Sequence, residues 1–143
     1  MPYCYLTDIA IADVAFEAWG DTREEMFTAA AHAMMTVMVE NPLTVRFQRI
    51  VAIRLEHEQL DLLLFNFLQE LLFHKDAQRL LLLVDNLQIE ERDGLFTLNA
   101  RTCGETIDPS RHQLSVDVKA VTLHLFQVRE IAGVWRATVV VDV

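Results

Sequence analysis

Cysteine, proline and glycine are all scarce in this chain, with two, three and four residues among 143. Cys4 and Cys103 share no CxxC or CxxH spacing, which leaves both a disulfide and a zinc reading weak. With no signal-peptide pattern, two lone thiols suit a reducing compartment, so a cytoplasmic location is expected. Few glycines and prolines in a 52% hydrophobic composition exclude a low-complexity chain and favour a packed globule. Positive charge is also short. Twelve basic residues against 21 acids give a formal charge of −9, which repels phosphate backbones and leaves RNA within reach only indirectly, through a basic protein partner. The longest apolar region, Leu60 to Phe73, is interrupted by Asp61, Asn66, Gln69 and Glu70 and is shorter than a bilayer crossing needs, so no membrane role is expected. No G-x-S-x-G, P-loop or G-x-G-x-x-G is present, so motif-based hydrolase, kinase and dinucleotide readings have no footing.

The hydrophobic pattern predicts one α+β domain over 1–143, with two helices packed on a largely antiparallel sheet system. Residues 3–19 read as extended, and the alternation over Asp13 to Ala18 sends Val14, Phe16 and Ala18 to one face and Asp13 and Glu17 to the other. Gly20-Asp21 breaks the strand. Thr22-Arg-Glu-Glu25 has capping-box spacing ahead of an apolar series, which predicts a helix over 22–38. After Asn41-Pro42, alternation at Val45, Phe47, Val51, Ile53 and Leu55 predicts a strand, and Leu60 to Leu72 carries the wide apolar stripe of a second helix. Strands are then expected over 79–92, 95–103, 119–130 and 134–143, with hairpin turns at Asp93-Gly94 and Ala132-Gly133 and a loop over 104–117.

Two apolar strands each give one position to an acid: Asp13 within Ile-Ala-Asp-Val-Ala-Phe, and Asp142 within the closing Val-Val-Val-Asp-Val. Carboxylates are hard ligands suited to calcium, magnesium or manganese, and Val143 adds backbone oxygen beside Asp142. Asp8 is a weaker third candidate in the same N-terminal stretch. The competing reading is that alternation simply points these acids to solvent. Five histidines, at 32, 57, 74, 112 and 124, share no metal-ligand spacing and read as surface or partly buried side chains. The Asp108-Pro-Ser-Arg111-His112 cluster reads as an ordinary loop, with positioning a phosphate or holding the loop through an Asp-to-Arg contact as its functional options. By composition Lys119 is an ordinary edge-strand lysine. The methionines at 26, 34, 35 and 38 belong to the core.

Several segments, in order over nearly the full length, resemble the archease family. They are Ala12-Asp13-Val-Ala-Phe-Glu-Ala-Trp-Gly20 with Thr22-Arg-Glu-Glu-Met-Phe; Leu68-Gln-Glu-Leu-Leu72; Gly104-Glu105 with Asp108-Pro109 and His112; Val118-Lys119-Ala-Val-Thr122 with His124; and Trp135-Arg-Ala137 with Val140-Val-Asp-Val143. The resemblance implies a non-catalytic accessory protein that promotes guanylylation and repeated turnover of an RtcB-type RNA ligase in tRNA splicing or RNA repair. It also implies a divalent metal ion (Ca, Mg or Mn) held by Asp13 and Asp142 with backbone oxygen of Val143, and a functional lysine at Lys119. Where many relatives have His-Thr-Ala-Asp, this chain has Ala10-Ile11-Ala12-Asp13, so that histidine's role is absent and Asp8 is a substitute ligand by hypothesis. A position close to the end of the chain leads to the expectation that Asp142 acts from a readily repositioned segment. The runner-up reading is a general chaperone or binding module without metal dependence. A metal-dependent phosphohydrolase is a third, and it lacks an evident general base.

Overall fold

The computed structural model describes residues 2–6 and 13–143; residues 7–12, and with them the candidate Asp8, lie outside the described residues. Two antiparallel sheets enclose two helices. The first sheet has the order β1 (Tyr3–Leu6), β2 (Asp13–Gly20), β7 (Val134–Asp142), β6 (Ala120–Ile131). The second has the order β3 (Arg49–His57), β5 (Leu95–Thr106), β4 (Leu80–Arg92). Between them, α1 (Arg23–Met38) packs against β2 and β7 on one side and β4 on the other, while α2 (Leu60–Gln78) packs against β6 on one side and β3, β4 and β5 on the other.

This middle-layer position explains the width of the helices' apolar stripes. A helix covering a single sheet needs one hydrophobic face, whereas a helix between two sheets buries both. Accordingly Phe27 and Phe67 stack across the α1–α2 contact with ring centroids 6.4 Å apart, and both are fully buried. Each such side chain contributes roughly 1.5–3 kcal/mol by leaving water. The core continues unbroken from Phe16 and Val139 of the first sheet, through the helices, to Leu82 and Leu98 of the second.

Local chemistry sets the element ends. Thr22 caps α1, its hydroxyl accepting from the Glu25 N–H at 3.1 Å, while the Glu25 carboxylate accepts from the Asp21 N–H at 2.8 Å. That is the predicted cap, with the return bond made one residue earlier than in the standard box. α2 runs on to Gln78 and stops at Arg79, which adopts the left-handed conformation with φ 55°. Both predicted hairpins form: Asp93 and Gly94 (φ 53° and 79°), and Ala132 and Gly133 (φ 53° and 81°), give the two consecutive positive φ values of a type I′ turn.

Two predicted boundaries move. Val45 and Phe47 are not in a strand, because Asn41-Pro42 starts a 3-10 turn over Pro42–Thr44 and β3 begins only at Arg49. β5 continues through Gly104 to Thr106, taking the first residues of the expected loop. Gly104 permits this, since a Cβ there would lie 1.6 Å from the Leu81 carbonyl oxygen of β4. The two strands approach too closely for any other residue.

Candidate functional site

Asp13 opens β2 and Asp142 closes β7, and the register makes them direct partners: Asp13 faces Asp142, Val14 faces Val141 and Phe16 faces Val139. Directly opposed residues point to the same face of a sheet. The apolar partners Val14, Phe16, Val139 and Val141 take the helix-covered side, so both carboxylates take the other side, as the alternation in β2 predicts. Both are half-buried. Asp142 is also opposite Ala120 of β6, and its carbonyl accepts the Lys119 N–H at 2.8 Å. The structure therefore gathers Asp13 of β2, Asp142 of β7 and exposed Lys119, the residue just before β6, at one end of the first sheet.

The expectation of a readily repositioned Asp142 is corrected by this arrangement. β7 lies inside the sheet, paired with β2 on one side and β6 on the other, so the Asp142 backbone is fixed from both directions. Across the face from this end, Glu17 of β2 and Arg136 of β7 form an ion pair at 2.9 Å, with the Arg136 guanidinium 5.8 Å from the centroid of the Trp19 ring. Among the described residues, neither Asp13 nor Asp142 has a comparable ion pair.

In β6 the pairing with β7 breaks between Thr122 and Gln127. The extra residues bulge outward at Leu125, with φ 55°, leaving Leu123 and Leu125 exposed. Bulges of this kind blunt an edge strand.

The segment leading to Lys119 is held at several points. Its first anchor is a buried ionic cluster. Glu105 accepts from the Arg46 N–H at 2.5 Å and pairs with the Arg111 guanidinium, while Arg111 also donates to the Thr44 carbonyl at 2.8 Å. His112 is 1% exposed. The Asp108 N–H donates to its Nδ1 at 2.8 Å, so a neutral ring carries its hydrogen on Nε2, which faces Glu105 Oε2 at 3.1 Å. Burial pushes the Glu105 carboxyl up, but the Arg46 N–H, Arg111 and His112 outweigh it and hold the carboxyl below its ordinary range. Asp108 is held low chiefly by the hydroxyl and N–H of Ser110, closing its own turn. The Asp-to-Arg contact, the alternative to the ordinary-loop reading, does not form, because Arg111 turns to Glu105, the buried carboxylate.

Further along, Leu114 bridges to Val39, and the N–H groups of Ser115 and Val116 donate to the carbonyls of Met38 and Val37 at the end of α1. The second anchor is Lys75 of α2, whose buried ammonium bonds Asp117 and the Val118 carbonyl. Sequence reading missed Lys75, Glu105 and the burial of His112. A lysine in the last turn of a helix reads as a solvated complement to the helix dipole, and only the loop folded across it reveals otherwise. Cys4 is exposed and Cys103 buried, both free, and among the described residues no helix is long and apolar enough to cross a membrane.

As a metal centre, the described side chains offer two carboxylates, and no group of three or more His, Cys, Asp or Glu residues converges among the described residues. The donor chemistry fits a hard divalent cation that keeps part of its water shell, as magnesium does. Two like charges placed opposite each other across a sheet are also unfavourable until a cation lies between them.

The archease protein family model matches residues 3–143. The archease of Pyrococcus furiosus is 35% identical over 92% of this chain and 93% of its own length, and that of Methanothermobacter thermautotrophicus is 34% identical over 92% of each. In three dimensions the chain is similar to the solution structure of Methanobacterium thermoautotrophicum protein 1598, with a TM-score of 0.85 at 30% identity, covering 99% and 98% of the two chains. A crystal structure of an archease from Thermotoga maritima, described as a possible chaperone, has a TM-score of 0.60 at 15% identity over 96% and 98%, a likeness of fold. Matched along nearly its whole length in both sequence and fold, this chain belongs to the archease family.

Proposed function

We propose that this protein is an accessory factor of an RtcB-type RNA ligase, promoting guanylylation and repeated turnover of the ligase in tRNA splicing or RNA repair, and catalysing no reaction itself. The observation that carries this reading is the opposition of Asp13 and Asp142 beside Lys119 at one end of the first sheet. Asp13 and Asp142, with backbone oxygen from Val143, would hold a divalent cation. Such an ion neutralises the charge of a triphosphate. The roles of the chain's own groups are to hold the two carboxylates opposite each other in the sheet and to bring the Lys119 backbone to the same sheet end.

The net charge of −9 supports docking on a basic, RNA-binding protein, through complementary potentials that steer association. A cytoplasmic setting accords with the two free thiols. The test is guanylylation of the cognate ligase with GTP and metal, with and without substoichiometric amounts of this protein. Stimulation that disappears in Asp13→Ala and Asp142→Ala supports the proposal. Protection of a partner from aggregation that persists in both variants, without stimulation of guanylylation, would favour a chaperone instead.

A further inference from the structure

Lys75 is a buried cation in a protein with few cations. Its side chain is 7% exposed, at the end of a helix that otherwise buries leucine and phenylalanine. An ammonium out of water is costly unless its three hydrogens are satisfied. Here two hydrogen bonds hold it, to Asp117 Oδ1 at 2.5 Å and to the Val118 carbonyl at 3.0 Å, and Asp76 Oδ1 is an ion-pair partner at 2.9 Å. Two of those oxygens belong to residues 117 and 118, which immediately precede Lys119. One residue later, the Lys119 N–H is bonded to the Asp142 carbonyl.

We infer that Lys75 is a positioning residue for Lys119: its ammonium ties the end of the 107–118 loop to α2 and thereby fixes where Lys119 lies against Asp142. The bond from Lys75 to a main-chain carbonyl matters here. A salt bridge to Asp117 alone would restrain a side chain that is 74% exposed and weakly held, whereas the bond to the Val118 carbonyl restrains the backbone itself. Val118 is fully buried, so the backbone is pinned by packing and by the ammonium on consecutive residues. Beyond Lys119 the chain enters β6 and pairs with β7 from Ala120 onward. The tether and the sheet thus bracket Lys119 on both sides. The tether itself stands on these distances, and its consequence for the ligase rests on the proposed function.

The experiment compares wild type with Lys75→Met, Lys75→Arg and Asp117→Ala by amide hydrogen exchange, metal titration and ligase stimulation. Lys75→Met leaves no charge stranded in the core, because Asp117 remains solvated, and Asp117→Ala loosens the same contact from the exposed side. We expect the Lys119 amide to exchange at least about tenfold faster in Lys75→Met, with a smaller change in the same direction in Asp117→Ala, while amides of the central strands β5 and β7 keep their protection. Stimulation of ligase guanylylation should fall in the same order and be largely restored by Lys75→Arg, with affinity for Mg²⁺ or Ca²⁺ little changed. Unaltered Lys119 exchange in both Lys75→Met and Asp117→Ala would overturn the tether. Faster exchange with full stimulation would overturn the positioning role. Failure of the wild type to stimulate would strike the proposed function alone, since the exchange measurement needs no ligase.

Discussion

Asp13 and Asp142 come from opposite ends of the sequence and stand directly across from each other in the β2–β7 ladder, both on the face turned away from the helices. Directly opposed like charges cost a sheet roughly 0.2–1 kcal/mol, so the arrangement is one that a bound cation relieves.

A stability signature follows from that opposition. In metal-free buffer, Asp142→Asn removes the repulsion and should raise the unfolding midpoint by about 1–2 °C, corresponding to roughly 0.5 kcal/mol in a protein of this size. With millimolar Mg²⁺ or Ca²⁺ the order should reverse, because the wild type gains binding energy that the variant lacks. Thermal unfolding with chelator and with each metal checks this, and equal metal-induced shifts in the two proteins would remove Asp142 from the site.

Acid should act through Glu105. Burial raises this carboxyl, and the Arg46 N–H, Arg111 and His112 together lower it further than burial raises it. The unfolded chain therefore takes up a proton at the ordinary carboxyl value while the native protein resists until lower pH. The Glu105 contribution is fully present above the ordinary value and is lost as pH falls through the depressed native one. Glu105→Gln should cost about 3 kcal/mol at neutral pH by leaving Arg111 without its buried partner. Denaturant unfolding from pH 7 downward should show the gap between wild type and variant narrowing below about pH 4.5.

Gly104 and Gly94 should respond differently to the same substitution. Gly104→Ala drives a Cβ into the Leu81 carbonyl, a backbone atom that cannot yield without parting β4 from β5, and should cost more than about 4 kcal/mol or prevent folding. Gly94→Ala has open space around it and only a positive φ to accommodate, so a loss of about 1 kcal/mol is expected. Soluble yield and urea midpoints separate the two cases.

The residues that sequence made legible are those whose reason is local. Alternation placed Asp13 opposite in face to Val14 and Phe16, the Thr22 cap and both type I′ turns followed from short-range chemistry, and the archease resemblance pointed to Asp13, Asp142 and Lys119. Pairing between strands at the two ends of the chain has no local signal, so nothing in either strand alone showed that Asp13 would meet Asp142. The division into two sheets was hidden in the same way: the wide stripe on the 60–72 helix has its cause in a second sheet, which periodicity cannot distinguish from a broad single interface. Phe47 continued the alternation of Val51 and Ile53, yet the 3-10 turn after Asn41 and the capture of the Arg46 N–H by Glu105 keep that segment out of the sheet. Lys75 looked like any helix-end lysine because its hydrogen-bond partners come from a loop more than 40 positions away.

The measurement that bears most directly on the proposed role is guanylylation of the cognate RNA ligase by GTP in the presence of metal, using wild type, Asp13→Ala, Asp142→Ala and Lys119→Ala at substoichiometric amounts. The account predicts clear stimulation by the wild type and its loss, by about tenfold or more, in all three variants, with the fold of each intact by circular dichroism. Full stimulation by Asp13→Ala and Asp142→Ala would contradict it.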